Sequence, residues 1–120
     1  MKVLLADDSG LILERLQEAL RSFKHIEIVG SFKNGTETLE GLRVLKPQIA
    51  IVDIKMPGLN GLEVLQEIRK EDKNLKIIIL TFYASEYHRQ QAIHSGADYF
   101  FSKVDDFDKA IQVVVNMVYA

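Results

Sequence analysis

The sequence contains no cysteine and no tryptophan, and only two prolines among its 120 residues. The absence of cysteine excludes a disulfide scaffold and any thiolate-ligated metal, and it is compatible with a cytoplasmic location. No excess of one charge sign exists either. Lys plus Arg is 15, Asp plus Glu is 17, and the formal net charge is −2. Without a basic field, neither nucleic acid nor an anionic membrane is an expected partner. The N-terminus lacks the basic-then-apolar layout of a signal peptide. No apolar run is long enough to span a bilayer. Repeats, low-complexity tracts and linkers are also missing.

What is present is the balance of a folded globule: 48% apolar and 27% charged residues. A chain of this length forms one domain of ordinary size and buries a core without staples. Five short, β-branched-rich apolar runs stand out, at 2–6, 26–32, 48–54, 75–80 and 98–102. The first, third and fourth are nearly continuous in apolar residues. That is the pattern of parallel strands covered on both faces.

Helical spacing fills the gaps between the runs. Leu13, Leu16, Leu20 and Phe23 follow Ser9 and Gly10 at three- and four-residue steps. Thr38, Leu39, Leu42 and Leu45 precede Pro47, which stops a helix. Leu62, Leu65, Ile68 and Arg69 follow Gly61, and a helix over 84–95 is closed by Gly96. Phe107, Ala110, Ile111, Val114, Val115 and Val118 form a last stripe, with Val113 and Met117 widening it toward a docking patch or a broad core face. Five β-α units predict a doubly wound parallel sheet with right-handed crossovers. By analogy its strand order is the flavodoxin-like 2-1-3-4-5.

Sites in such sheets lie beyond the carboxyl ends of the strands. Asp7 and Asp8 stand after the first run, Asp53 at the end of the third, Thr81 after the fourth and Lys103 after the fifth. Singly, each has an ordinary reading: loop or cap residues, a strand-end hydroxyl, a solvated lysine. Their common edge is the signal. Three ionised carboxylates held close raise one another's pKa, and a hard cation such as Mg²⁺ removes the conflict. Lys103 suits a phosphate, Thr81 can donate to a phosphoryl oxygen, and Asp53 can act as a carboxylate nucleophile. His25, His88 and His94 show no metal-ligand spacing.

The chain resembles the receiver domain of two-component response regulators, CheY-like proteins, over its whole length. The resemblance is carried by "LLADDS", by "DIKMPGLNG" with its Asp-x-x-Met-Pro-x-x-x-Gly block (Asp53, Met56, Pro57, Gly61), by "ILTF" and by "GADYFFSK". It implies that residues 1–120 are a single receiver domain, either stand-alone or cut from a longer regulator. It implies that Asp53 accepts a phosphoryl group from a phosphohistidine of a sensor histidine kinase or histidine phosphotransfer protein. Asp8, Asp53 and the backbone carbonyl of Lys55 would ligate Mg²⁺ or Mn²⁺, and Asp7 would act through a bound water. Thr81 and Phe100 would form the switch. The fourth helix, fifth strand and fifth helix would be read by a downstream protein or a second copy, with the last helix an alternative surface. Such a protein is not a turnover enzyme on external substrates.

Departures from the family pattern matter. Val104 replaces the usual proline after the lysine, so a trans bond is expected there. Phe82 replaces a small residue after Thr81 and would crowd the phosphoryl site. Lys55 and Tyr83 occupy positions that tune phosphoryl lifetime, and a slow-decaying phosphoform is expected. Three rivals stand beside this reading. A flavodoxin-like electron carrier would not place two aspartates against a flavin phosphate. A dehalogenase-type phosphatase needs Asp-x-Asp after the first strand, which "ADDSG" lacks. A phosphorylation-independent pseudo-receiver that only binds proteins has Phe82 in its favour.

Overall fold

A computed structural model describes residues 1–117. Five strands alternate with five helices: β1 (Lys2–Ala6), α1 (Gly10–Arg21), β2 (Glu27–Phe32), α2 (Gly35–Leu45), β3 (Ile49–Val52), α3 (Gly61–Arg69), β4 (Lys76–Thr81), α4 (Glu86–His94), β5 (Tyr99–Ser102) and α5 (Phe107–Met117). All strand pairs are parallel, in the order β2-β1-β3-β4-β5. This is the architecture the alternating pattern predicts.

Alternate residues of each strand feed opposite layers. Leu4, Ala6, Ala50, Val52, Ile77 and Ile79 face α2, α3 and α4. Val3, Leu5, Ile49, Ile51, Ile78 and Leu80 face α1 and α5. Central strands therefore carry apolar residues on both faces, which explains their continuous runs. Edge strand β2 is only half-buried and carries an irregularity opposite Val3 and Leu4.

Polar caps set the helix starts just beyond the strand ends. Ser9, Asn34, Asn60 and Ser85 each accept a backbone N–H from the first helical turn. Asn60 and Glu63 complete a reciprocal capping box. Gly96, at φ 108°, closes α4: its N–H donates to Ile93 and that of Ala97 to Ala92.

Three details differ from the sequence pattern. Phe23 lies past the end of α1, because Ser22 already caps the helix onto Leu20. The fourth helix begins at Glu86 rather than residue 84, because Ser85 is its cap. In α3 the buried stripe runs through Val64, while Arg69 serves as a polar anchor: its guanidinium binds Asp98, Gly96 and Asp72. On α5, Val113 and Met117 pack half-buried against the core as part of a wide face. Val118 lies outside the described residues. Among the described residues no peptide bond is cis, and no helix is long and apolar enough to cross a membrane.

Candidate functional site

The loops beyond β1, β3, β4 and β5 meet at one sheet edge. Three of the residues that leave the sheet there are pinned by one more ladder bond. Asp7 N–H donates to Phe32 O (3.0 Å), Asp53 N–H to Ala6 O (2.9 Å) and Lys103 N–H to Thr81 O (2.9 Å). Their side chains therefore start from fixed backbone. Gly61 allows α3 to begin against this loop, since a Cβ there would stand 2.1 Å from Asp53 O.

Asp7, Asp53 and Lys103 are buried, whereas Asp8 is exposed. Lys103 Nζ lies 2.6 Å from Asp7 Oδ2 and 2.8 Å from Asp53 Oδ2. The other oxygens of the two carboxylates accept backbone donors. Ser9 N–H reaches Asp7 Oδ1 at 2.9 Å, and Ile54 N–H reaches Asp53 Oδ1 at 2.7 Å. One oxygen each from Asp7, Asp8 and Asp53 lies within 4.8 Å of the others.

The electrostatics follow from this packing. Burial, with the nearby Asp53 charge, pushes the Asp7 pKa up, against the hydrogen bonds from Lys103 and Ser9 that pull it down, and the net shift is upward. Burial works to lower the Lys103 pKa, but the hydrogen bonds and charges of Asp53 and Asp7 outweigh it, and the net shift is upward. Lys103 thus stays an ammonium. One ammonium against three carboxylates leaves the cluster acidic. Its all-oxygen, hard donor set fits Mg²⁺ or Mn²⁺.

Thr81 is fully buried at the end of β4, and its Oγ1 accepts Tyr83 N–H at 3.0 Å. Lys55 is exposed, and its Nζ donates to the Tyr83 hydroxyl at 3.2 Å, which joins the β3–α3 and β4–α4 loops. That hydrogen bond raises the Lys55 pKa. Phe100 is buried against the α4 side of the core with Ala92 and Ala97. Phe82 is exposed, yet its ring centroid stands only 4.8 Å from Lys103 Nζ. Phe82 therefore does reach the site, through the lysine.

The sequence reading missed three contributors. The Ser9 and Ile54 N–H groups hold the carboxylates, and only the short-range habit of Asp to bind nearby backbone hinted at them. Arg89 on α4 donates to the Phe100 carbonyl at 3.3 Å. No local signal marks it, since its partner lies in another element.

Residues 3–115 match the family model of the response regulator receiver domain. Response regulator protein VraR of Staphylococcus saprophyticus is 29% identical over 119 residues, which cover 97% of this chain and 57% of that protein. The chain spans about half the length of the curated relatives it matches. The response regulator domain of Thermotoga maritima CheB superposes with a TM-score of 0.87 at 28% identity, covering 99% of this chain and 93% of that one. A CheX–CheY complex with BeF₃ and Mg²⁺ from Borrelia burgdorferi gives 0.88 at 26% identity, covering 100% and 90%. Fold, acidic edge and family match agree: the chain belongs to the response regulator receiver domains and has their CheY-like fold.

Proposed function

We propose that this chain is a phosphoacceptor receiver of a cytoplasmic two-component system, with Asp53 as the acceptor and residues 1–120 as one receiver domain. Its donor is a phosphohistidine on a sensor histidine kinase or a histidine phosphotransfer protein. The observation that carries the reading is the Lys103 ammonium held between Asp7 and Asp53, beside an exposed Asp8.

An Asp53 carboxylate oxygen attacks the phosphorus, the P–N bond breaks, and the imidazole leaves with the bonding pair. Lys103 then pairs with a phosphoryl oxygen. Thr81 Oγ1 uses its lone pair on Tyr83 N–H, so its own proton is free to donate to the phosphoryl group. Asp8, Asp53 and the Lys55 carbonyl would hold Mg²⁺ or Mn²⁺, with Asp7 acting through water. When bound, the ion neutralises charge on the transferring group. The chain is its own substrate rather than a turnover enzyme.

Phosphorylation adds close to two negative charges at this edge. Thr81 and Phe100 form the switch in this reading, and α4, β5 and α5 form the surface read by a downstream protein or a second copy. α4 suits that role, because Ala92 is its one buried residue. The test is phosphorylation by a histidine kinase with and without Mg²⁺, read by intact mass. Wild type gains one phosphoryl group only with the metal, and Asp53→Asn gains none. Equal labelling of both would remove Asp53 as acceptor. Failure of wild type with its cognate kinase would favour the pseudo-receiver reading, for which the Phe82 ring over Lys103 speaks.

A further inference from the structure

Lys103 Nζ carries three N–H bonds. Asp7 Oδ2 and Asp53 Oδ2 account for two of its neighbours, at 2.6 and 2.8 Å. The Phe82 ring, 4.8 Å away, is a third. The lysine side chain is only 2% exposed, although Phe82 itself is 61% exposed. The ring thus has one face toward water and covers the ammonium with the other. Local structure sets this geometry. Phe82 follows directly after β4, and the Tyr83 N–H bond to Thr81 Oγ1 folds the next residue back.

We propose that Phe82 is a positioning residue for Lys103: its ring holds the ammonium between Asp7 and Asp53 and so sets how readily a divalent cation displaces it. The ring's negative face attracts the cation and excludes water that would otherwise solvate it. In the metal-free protein Lys103 is the internal counter-ion of the acidic pair. Both oxygens of Asp53 are occupied, Oδ1 by Ile54 N–H and Oδ2 by Lys103. An incoming hard cation competes with that ammonium for Asp53. A ring that stabilises the ammonium therefore weakens metal binding. The metal half of this inference rests on the receiver reading; the positioning half does not.

Two substitutions separate the ring's charge distribution from its bulk. Phe82→Leu keeps an apolar side chain but removes the quadrupole, and Phe82→Tyr restores an aromatic face. Both changes are at an exposed position. The first readout uses metal-free, isotope-labelled protein. Lys103 Hε resonances are shifted upfield by the ring in wild type and Phe82→Tyr, and move toward ordinary lysine values in Phe82→Leu. The second is Mg²⁺ titration by calorimetry. Phe82→Leu binds Mg²⁺ about three- to tenfold more tightly than wild type, the range of a cation–π contact, while Phe82→Tyr stays near wild type. Unchanged Lys103 shifts in Phe82→Leu would overturn the positioning role. The expected pattern of shifts together with equal Mg²⁺ affinity in all three proteins would overturn the control of metal binding. If wild type binds no Mg²⁺, the receiver reading fails with the metal half, and the Lys103 shifts alone decide the positioning half.

Discussion

Arg89 Nη1 donates to the Phe100 carbonyl at 3.3 Å, and its guanidinium carbon stands 5.9 Å from the ring of that same residue. One side chain thus ties α4 to β5. The tie matters because α4 buries only Ala92 and is otherwise lightly held. Arg89→Ala is expected to speed amide exchange across α4 by about tenfold, the loss of one charged hydrogen bond. Exchange in α1 and α3, which bury four residues each, stays unchanged. Hydrogen exchange with peptide-resolved mass spectrometry checks this.

Lys103→Met is expected to destabilise the metal-free protein by about 3 kcal/mol at neutral pH. Removing one partner of a buried ion pair leaves the remaining charges uncompensated. Asp7, which burial already pushes upward, then loses the Lys103 hydrogen bond that pulled it down, so its protonation is favoured in the folded state more than in the unfolded chain. The variant therefore regains stability as pH falls from neutral into the acidic range, which urea unfolding at two pH values would show. A loss that is the same at both pH values would contradict this account.

Alkaline stability should follow the Lys103 shift. Its folded pKa is raised above the ordinary 10.5. The stabilisation it brings is fully present below 10.5 and is lost as pH rises through the folded value. Asp7, raised from 3.8, works in the opposite sense from a favourable carboxylate: its ionisation costs stability as pH rises through its folded value. Melting curves of wild type should therefore fall more steeply above pH 10.5 than those of Lys103→Met, which lacks the titrating group.

Gly61→Ala is expected to cost about 3 kcal/mol or more, as overpacking against backbone does. The new Cβ would meet Asp53 O at 2.1 Å and Ile54 Cα at 3.0 Å, neither of which can swing aside. Thermal unfolding reports the loss. An Ala variant with the melting point of wild type would show that the Asp53 loop is not held by this contact.

The phosphoform is expected to decay over many minutes or longer. Lys55 Nζ bridges to the Tyr83 hydroxyl between the two loops beside Asp53, and Phe82 stands at the same edge. Both would limit the approach of hydrolytic water. Lys55→Ala should shorten the lifetime severalfold in intact-mass time courses. Wild-type decay within seconds would rule the idea out.

The sequence by itself determined the succession of elements. Short apolar, β-branched runs such as Ile77–Ile78–Ile79–Leu80 point to a strand buried on both faces, and Leu13, Leu16 and Leu20 to a helix with one buried side. It also placed Asp7, Asp53, Thr81 and Lys103 at or just past strand ends, because all strands of a parallel sheet end at the same edge. Phe23 and Val64 were misread or missed because spacing alone does not say where a cap ends a helix or which residue faces the core.

Only the tertiary structure decided the pairings across that edge. Asp7 and Asp8 are adjacent in sequence, yet Asp7 is buried on Lys103 and Asp8 is exposed, because only Asp7 meets the lysine that comes from the end of β5. The Phe82 ring over Lys103 joins two loops, and the Arg89 bond to Phe100 joins a helix to a strand. Such contacts depend on distances between elements, and no pattern within a single element encodes them.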